Sequence, residues 1–181
     1  MGDFLPYEVK MLARIMRRNL EATSKTVTLD SEIELLSNYL NIQKFRYEDK
    51  IDYSIDIMTD TKDYRMLPLL LQPIVENAFV HSLECKKIQG KIGIKVEEKD
   101  ECLVIAVEDN GAGMDENKII LVRNMLEECE NSVKTSIGLR NVNSRIKLYY
   151  GADYGLELSS RLNVGTTVVM KLPLKEASAS V

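Results

Sequence analysis

Two pairs of strand-like segments, each joined by a short turn, constrain the fold of this chain more than any other feature. Residues 91–97 and 102–108 are predicted strands on either side of a charged turn. Residues 155–160 and 166–172 are predicted strands around a turn that ends at Gly165. Strands joined by so few residues pair antiparallel, because a parallel connection needs a longer crossover. The second half of the chain therefore predicts an antiparallel or mixed sheet.

Helical periodicity and one further alternating segment supply the remaining elements. Residues 51–57 alternate like a half-buried strand. Asp30 or Ser31 is the predicted N-cap of the second helix, and Pro73 marks the predicted start of the third. Apolar side chains recur at helical spacing in residues 8–20, 33–46, 67–83 and 137–150. Strands and helices do not alternate regularly, so we predict an α+β fold: a two-layer sandwich of a mixed, mainly antiparallel sheet covered by helices on one face, with an N-terminal helical segment.

Composition excludes several functional classes. The formal net charge of the 181 residues is −4 with both signs interspersed, so no basic surface predicts nucleic-acid binding. Cys85, Cys102 and Cys129 are widely spaced, which argues against a disulfide framework and a zinc site. No apolar run approaches the roughly 20 residues of a membrane span, and the first residues lack the pattern of a signal peptide. We expect no membrane contact by this chain and a cytoplasmic location.

Four short motifs, in order along the chain, predict a nucleotide site. Asn77 lies on the predicted helix 67–83, and its amide oxygen suits Mg²⁺. Asp109 follows a strand and can accept a hydrogen bond from the exocyclic amine of adenine. Gly111 and Gly113 come next and let a flat base approach the backbone.

The third and fourth motifs complete this prediction. Ile137, Gly138 and Leu139 open the predicted helix 137–150, where backbone N–H groups and the helix dipole favour a triphosphate. Thr166, after Gly165, could add a hydroxyl to the base or to its ordered water.

Together these motifs resemble the GHKL ATPase superfamily of gyrase, Hsp90, MutL and histidine kinases. Asn77 matches its N box, Asp109 to Gly113 its first glycine box, Ser136 to Leu139 its second, and Gly165 with Thr166 its last motif. The runs LPLLLQPIVENAFVHSL and SIGLRNVNSRIKLYYG, and the upstream VTLDSEIELLSNYLNIQKFRYEDKI, are similar to sensor histidine kinases of the LytS/YesM type. Each glycine motif alone is weak, whereas four in the right order with matching flanks are a specific signal.

The resemblance implies a fold, an activity and partners. The fold would be the Bergerat ATP-binding fold, with a flexible lid at residues 114–135. Residues 1–48 would then be a helical remnant of the dimerisation and linker region, residues 49–175 the ATP-binding catalytic domain, and residues 176–181 a disordered tail. The activity would be Mg²⁺-dependent transfer of the ATP γ-phosphoryl group to a histidine. The partners would be a second copy of the full-length kinase, an upstream phosphoacceptor helix and a response regulator.

Some positions depart from the family pattern. Ser136 replaces the usual first glycine of the second glycine box, and Val80 stands where a basic, phosphate-directed residue is common. Lys134, Arg140 and His81 are candidates for the missing phosphate contact. His81 is the one histidine, and it lies beside the nucleotide motif rather than on an acceptor helix. We therefore expect the acceptor histidine upstream of this chain, in the cytoplasmic portion of a membrane-anchored sensor.

Two questions stay open from the sequence. Glu76 could be the general base that orients the attacking group, or a glutamate that is exposed or bonded to a helix cap. The chain could also be a catalytically degenerate module that binds nucleotide or docks a partner, or a GHKL ATPase or anti-sigma-type serine kinase. The ATPases usually carry the N-box glutamate four residues before the asparagine, whereas Glu76 directly precedes Asn77, and this spacing favours the histidine kinase.

Overall fold

One five-stranded sheet organises the chain in a computed structural model, which describes residues 26–84, 89–127 and 137–174. The strands of the described residues are β1 (Val27–Thr28), β2 (Ile51–Ile57), β3 (Arg65–Met66), β4 (Gly90–Lys99), β5 (Cys102–Asp109), β6 (Gly155–Arg161) and β7 (Gly165–Pro173). The strand order in the sheet is β2-β4-β5-β7-β6, with β2 parallel to β4 and every other pair antiparallel. This confirms the predicted mixed, mainly antiparallel sheet.

The helices of the described residues cover one face of this sheet. They are α1 (Leu29–Tyr47), α2 (Leu71–Glu84), α3 (Glu116–Glu127) and α4 (Ile137–Tyr150), and a 3₁₀ turn (Glu48–Lys50) follows α1. Every second residue of the central strands is buried: Val96, Ile105, Met170 and Leu156 are cross-strand neighbours in one row beneath the helices. This alternation is what a sheet with one covered face requires. None of the described helices is long and apolar enough to cross a membrane.

The predicted helix starts needed correction at two places. The N-cap of α1 is Thr28, not Asp30 or Ser31: its hydroxyl accepts a hydrogen bond from the backbone N–H of Ser31 at 3.3 Å. Thr28 is the last extended residue because β1 pairs with β3, a contact that helical periodicity cannot reveal. Helix α2 begins at Leu71, two residues before Pro73, since a proline in the first turn sacrifices no intrahelical hydrogen bond.

Helix α1 is part of the same core as the sheet. Helix α1 packs on α2 through edge-to-face contacts of Tyr39 and Tyr47 with Phe79. Its Leu36 and Leu40 belong to the same buried core as the sheet. The division at residues 48 and 49 stays a prediction. The predicted helix 8–20 and the tail 176–181 lie outside the described residues.

The segment predicted as a lid is described only in its first part. Residues 116–127 form α3. The guanidinium of Arg123 donates through Nε and Nη2 to the carbonyl of Leu158 at 2.9 and 2.7 Å. The amide of Asn143 donates to the carbonyl of Leu126 at 2.7 Å and accepts from the N–H of Leu156 at 2.8 Å. These bonds fix α3 to β6 and to α4.

Candidate nucleotide-binding site

The centre of the candidate site is the carboxylate of Asp109, at the last residue of β5. Its side chain is 4% exposed, and its Oδ1 accepts a hydrogen bond from the backbone N–H of Gly111 at 2.8 Å. Burial raises the pKa of Asp109, while N–H groups of Gly111 and Thr166 and the nearby His81 act in the opposite direction. Asp109 is therefore a nearly buried carboxylate acceptor at the end of β5.

Thr166 stands directly beside Asp109, because the two residues are cross-strand partners of β7 and β5. Thr166 is 4% exposed, and its hydroxyl lies 2.9 Å from that of Ser160 on β6. The predicted pair of a carboxylate and a hydroxyl is therefore brought together. A buried acceptor next to a buried hydroxyl can recognise a base edge that presents a donor.

The glycines allow backbones to approach where side chains would not fit. A β-carbon on Gly111 would collide with the carbonyl oxygen of His81, so α2 and the loop after β5 touch through their backbones. Gly113 has φ +63°, and a β-carbon there would collide with the carbonyl of Arg161. Gly165 has φ +142°, and its β-carbon would collide with the carbonyl of Asp109. These contacts require glycine on steric grounds alone.

Two polar residues hold this loop, and sequence reasoning assigned them no role. Asn110 accepts from the N–H of Lys91 at 2.6 Å and donates to the carbonyl of Gln89 at 2.9 Å. Ser160 accepts from the N–H of Met114 at 2.9 Å and donates to the carbonyl of Gly165 at 2.8 Å. Asn110 was visible as the residue after Asp109, but no local signal singles out Ser160.

Helix α2 presents Glu76 and Asn77 on different sides. Oε1 of Glu76 accepts a hydrogen bond from Nε2 of Gln72 at 2.7 Å. Burial and, second, the negative charge of Glu76 raise the pKa of Tyr39 on α1 to about 12. Glu76 therefore faces α1. Asn77 is half-buried, one helical turn after Pro73.

The start of α4 lies against that same part of α2. A β-carbon built on Gly138 would sit 3.8 Å from Cβ of Pro73, so the first turn of α4 is adjacent to the turn of α2 that precedes Asn77. Leu139 is 4% exposed and belongs to the core, so its backbone rather than its side chain is available to a ligand. Ile137 is the first residue of α4. Ser136 and Lys134 lie outside the described residues.

The other predicted phosphate contacts occupy different positions. His81 lies at the Asp109 end of α2, with its carbonyl against Gly111 and its ring close enough to influence the pKa of Asp109. Arg140 is half-buried in the first turn of α4. Val80 is 54% exposed. The position of His81 favours the base end of the site over the phosphate end, and its phosphate contact stays a prediction.

The donor set limits how a metal could be held. Within the described parts of the chain, no group of three or more His, Cys, Asp or Glu side chains is placed to bind a metal ion. Mg²⁺ commonly keeps phosphates and waters as most of its ligands, with one or two protein oxygens. Asn77, one helical turn after the Pro73 that lies against Gly138, could supply one such oxygen.

A cavity of about 430 Å³ lies elsewhere, between α3 and β6. Its walls are Arg123, Leu126, Leu156, Glu157, Leu158, Ser159 and Val169. None of the predicted site residues is among them. The candidate site at Asp109 is therefore separate from this cavity.

Comparisons with known proteins agree with this geometry. Residues 62–176 match the family model described as histidine kinase-, DNA gyrase B-, and HSP90-like ATPase, and residues 7–51 match a model described as histidine kinase. The chain is 32% identical over 167 residues to the sensor histidine kinase YesM of Bacillus subtilis, covering 92% of this chain and 27% of that protein. It is 28% identical over 173 residues to the sensor protein kinase HptS of Staphylococcus aureus, covering 96% of this chain and 33% of HptS. The chain thus spans between a quarter and a third of the length of these relatives.

Solved structures share the fold. The catalytic domain of histidine kinase ThkA superposes with a TM-score of 0.60 at 17% identity, over 82% of this chain and 96% of that domain. The histidine kinase domain of the blue-light activated kinase EL346 from Erythrobacter litoralis superposes with a TM-score of 0.57 at 19% identity, over 96% of this chain and 76% of that one. With the family match over residues 62–176, the predicted fold and family are confirmed: the chain belongs to the histidine kinase-, DNA gyrase B-, and HSP90-like ATPases.

Proposed function

We propose that this chain is the catalytic ATP-binding part of a two-component sensor histidine kinase, which transfers the γ-phosphoryl group of ATP to a histidine on an upstream helix. The carrying observation is the buried Asp109 carboxylate beside Thr166, in a loop whose glycines exclude side chains. Membership of the ATPase family implies ATP binding. The relatives named as sensor kinases favour the kinase over the degenerate module, the ATPase and the serine kinase.

The base would be recognised at the end of β5. Asp109 would accept a hydrogen bond from the exocyclic amine of adenine, and Thr166 would contribute its hydroxyl directly or through water. Gly111 and Gly113 would allow the base to lie on the backbone. A carboxylate in this position selects a base that presents a donor, so the proposal predicts preference for adenine over guanine nucleotides.

The phosphates would extend towards the start of α4, where the dipole and the first N–H groups favour anions. The backbone at Ile137, Gly138 and Leu139 would supply these groups, with Arg140 as an additional phosphate contact. Asn77 would offer its amide oxygen to Mg²⁺, which neutralises charge on the transferring phosphoryl group when bound. The turn of α2 that precedes Asn77 packs against Gly138, which supports this assignment.

Transfer needs little covalent help from the protein. The unprotonated nitrogen of the acceptor imidazole would form a bond to the γ-phosphorus, the bond from that phosphorus to the ADP oxygen would break, and the ring would lose the proton on its second nitrogen. Glu76 would accept that proton or orient the ring. Its hydrogen bond to Gln72 restricts its orientation, which is useful to a general base.

The partners follow from the same proposal. The full-length kinase would act as a homodimer, present an acceptor helix to this domain and pass the phosphoryl group to a response regulator. This chain would lie in the cytoplasmic portion of a membrane-anchored sensor, without membrane or nucleic-acid contacts of its own. These steps rest on the relatives' names and on the match of residues 7–51 to a histidine kinase model.

A transfer assay tests the proposal directly. The chain is incubated with γ-³²P-ATP, Mg²⁺ and a separately produced fragment that carries the residues encoded upstream. We expect acid-labile, alkali-stable label on that fragment, and none when its histidine is replaced by glutamine. No label under conditions where the chain binds ATP would refute the kinase. Phosphate release without any acceptor would instead support the ATPase alternative.

A further inference from the structure

The turn that precedes α2 is backbone-strained and is held by side chains from two other helices. Leu69 has φ +58°, a left-handed conformation that leucine rarely adopts. Two residues later α2 begins, and Glu76 and Asn77 follow on its second turn. Whatever holds this turn also sets where α2 starts.

The side chain of α1 that bonds to this turn is a buried carboxylate, which the proposed chemistry does not use. Glu32 is 4% exposed, and its Oε1 accepts a hydrogen bond from the N–H of Leu69 at 3.0 Å. A buried carboxylate aimed at a backbone N–H forms a charge-assisted bond, which is stronger than a neutral one. The bond reaches across 37 residues of sequence and joins α1 to the entrance of α2.

The electrostatics at this end of α2 point the same way. Helices α2 and α4 have no acidic residue in their own first turns, whereas α1 carries Asp30 and Glu32 there and α3 carries Glu116. An anion near a helix N-terminus is stabilised by the helix dipole and by the unpaired N–H groups. Glu32 supplies from α1 the negative charge that the sequence of α2 omits.

Two side chains of α4 also bond to this turn. Arg145 donates to the carbonyls of Pro68 and Leu69 at 2.7 and 3.4 Å. The hydroxyl of Tyr150 accepts from the N–H of Leu67 at 3.0 Å. One short turn is thus bonded to α1 on one side and to α4 on the other, so it links the helix before the ATPase domain with both helices of the nucleotide site.

We propose that Glu32 is a positioning residue: its bond to the Leu69 turn couples the placement of α1 to the start of α2, and so to Asn77 and the phosphate end of the site. The effect on nucleotide binding rests on the proposed function, whereas the bond between Glu32 and Leu69 does not. Helix α1 lies within residues 7–51, matched to the histidine kinase model, whereas α2 lies within residues 62–176, matched to the ATPase model. A displacement of α1 would therefore reach the nucleotide site through Glu32.

Three variants of the full chain test the coupling. Glu32→Ala removes the acceptor, Glu32→Gln keeps an amide oxygen in its place, and Leu40→Ala weakens the packing of α1 away from the turn. Isothermal titration measures the affinity for Mg²⁺–ADP. We expect Glu32→Ala to weaken it about fivefold or more, the lower end of typical coupling between sites. We expect Leu40→Ala to stay within about twofold, as for a position that does not couple to the ligand. Glu32→Gln keeps the acceptor oxygen but loses the charge, so its affinity should fall between those of Glu32→Ala and the unaltered chain.

Hydrogen exchange separates positioning from general loss of stability. Coupling is reciprocal, so nucleotide should slow amide exchange in α1 of the unaltered chain and of Glu32→Gln, but not of Glu32→Ala. Equal affinity of Glu32→Ala and the unaltered chain would overturn the inference. So would Leu40→Ala weakening nucleotide as much as Glu32→Ala, or Glu32→Gln behaving like Glu32→Ala.

The same experiment distinguishes failure of the inference from failure of the proposed function. If the unaltered chain binds no nucleotide, the proposed function fails. The role of Glu32 is then tested by amide hydrogen exchange without nucleotide. Exchange at the first turns of α2 should be faster in Glu32→Ala than in the unaltered chain. Unchanged exchange there would overturn the inference on its own.

Discussion

Asp109→Asn should lower the affinity for nucleotide without a comparable loss of stability. The carboxylate of Asp109 is the acceptor proposed for the adenine amine, and it also accepts from N–H groups of Gly111 and Thr166. The amide has one acceptor oxygen where the carboxylate has two, and its NH₂ group would face a donor. A lost hydrogen bond to a charged group costs about 1.5–3 kcal/mol. At about 1.4 kcal/mol per tenfold, ATP affinity should fall by roughly one to two orders of magnitude.

The stability of the nucleotide-free chain should not fall with it. Burial raises the folded-state pKa of Asp109 above its ordinary value of 3.8. Between these two pKa values the folded chain binds the proton more tightly than the unfolded chain, so this group's contribution to stability falls as pH rises through that window. Above the window the charged, buried carboxylate opposes folding. Asp109→Asn removes that charge but also one of the two acceptor oxygens, so its free energy of unfolding at pH 7 should stay close to that of the unaltered chain.

Titration calorimetry with ATP and urea unfolding at pH 7 measure the two effects. Glu108→Gln is the matched control, because it makes the same chemical change one residue earlier, on the exposed side of β5. We expect the control to bind ATP normally. Near-normal ATP affinity of Asp109→Asn would refute the assignment of Asp109 to the base. A large loss of stability in the same variant would refute the argument from burial.

Three further changes test other parts of the structure. Gly165→Ala should lower the free energy of unfolding, measured in urea, by about 2–4 kcal/mol, because alanine is strained at this φ and its β-carbon would collide with the backbone. Gly93→Ala is the control and should stay near the unaltered value, because a β-carbon at Gly93 would lie 4.0 Å from the nearest atom, Oγ of Ser54. Asn143→Ala should cost about 2–4 kcal/mol by leaving a buried N–H and a buried carbonyl unpaired, and a similar loss in the exposed control Asn141→Ala would contradict this account. Asn77→Ala should abolish the gain in ATP affinity that Mg²⁺ gives over EDTA while adenosine binding stays unchanged; a persisting gain would exclude Asn77 as a ligand.

Local patterns predicted the elements whose own residues determine them. The strand at Ile51–Ile57 and the helix at Ile137–Tyr150 have the predicted bounds. The two hairpins differ from prediction by at most two residues at any end. In these segments the spacing of the apolar residues determines which face is buried, so the element can be predicted from its own residues.

Features that depend on distant partners were not predictable in this way. The small β1–β3 sheet pairs Val27 with Met66, and it moved the cap of α1 to Thr28. The parallel pairing of β2 with β4 likewise depends on how α2 crosses between them. The hydrogen bonds of Asn143 and Ser160 join segments that are adjacent only after folding. None of these leaves a local periodic signal.

The glycines of the candidate site can be recognised in the sequence for a reason that does not apply to Glu32. Where two backbones touch, as at Gly165 against Asp109, only glycine fits, and that requirement appears in the sequence whatever the rest of the chain does. Glu32, in contrast, occupies an ordinary helical position, and several polar side chains could serve a backbone N–H there. A steric requirement identifies its residue type, whereas a hydrogen-bonding requirement does not. The glycines of the candidate loop therefore stand out in the sequence, while the contact that joins α1 to α2 is visible only in the structure.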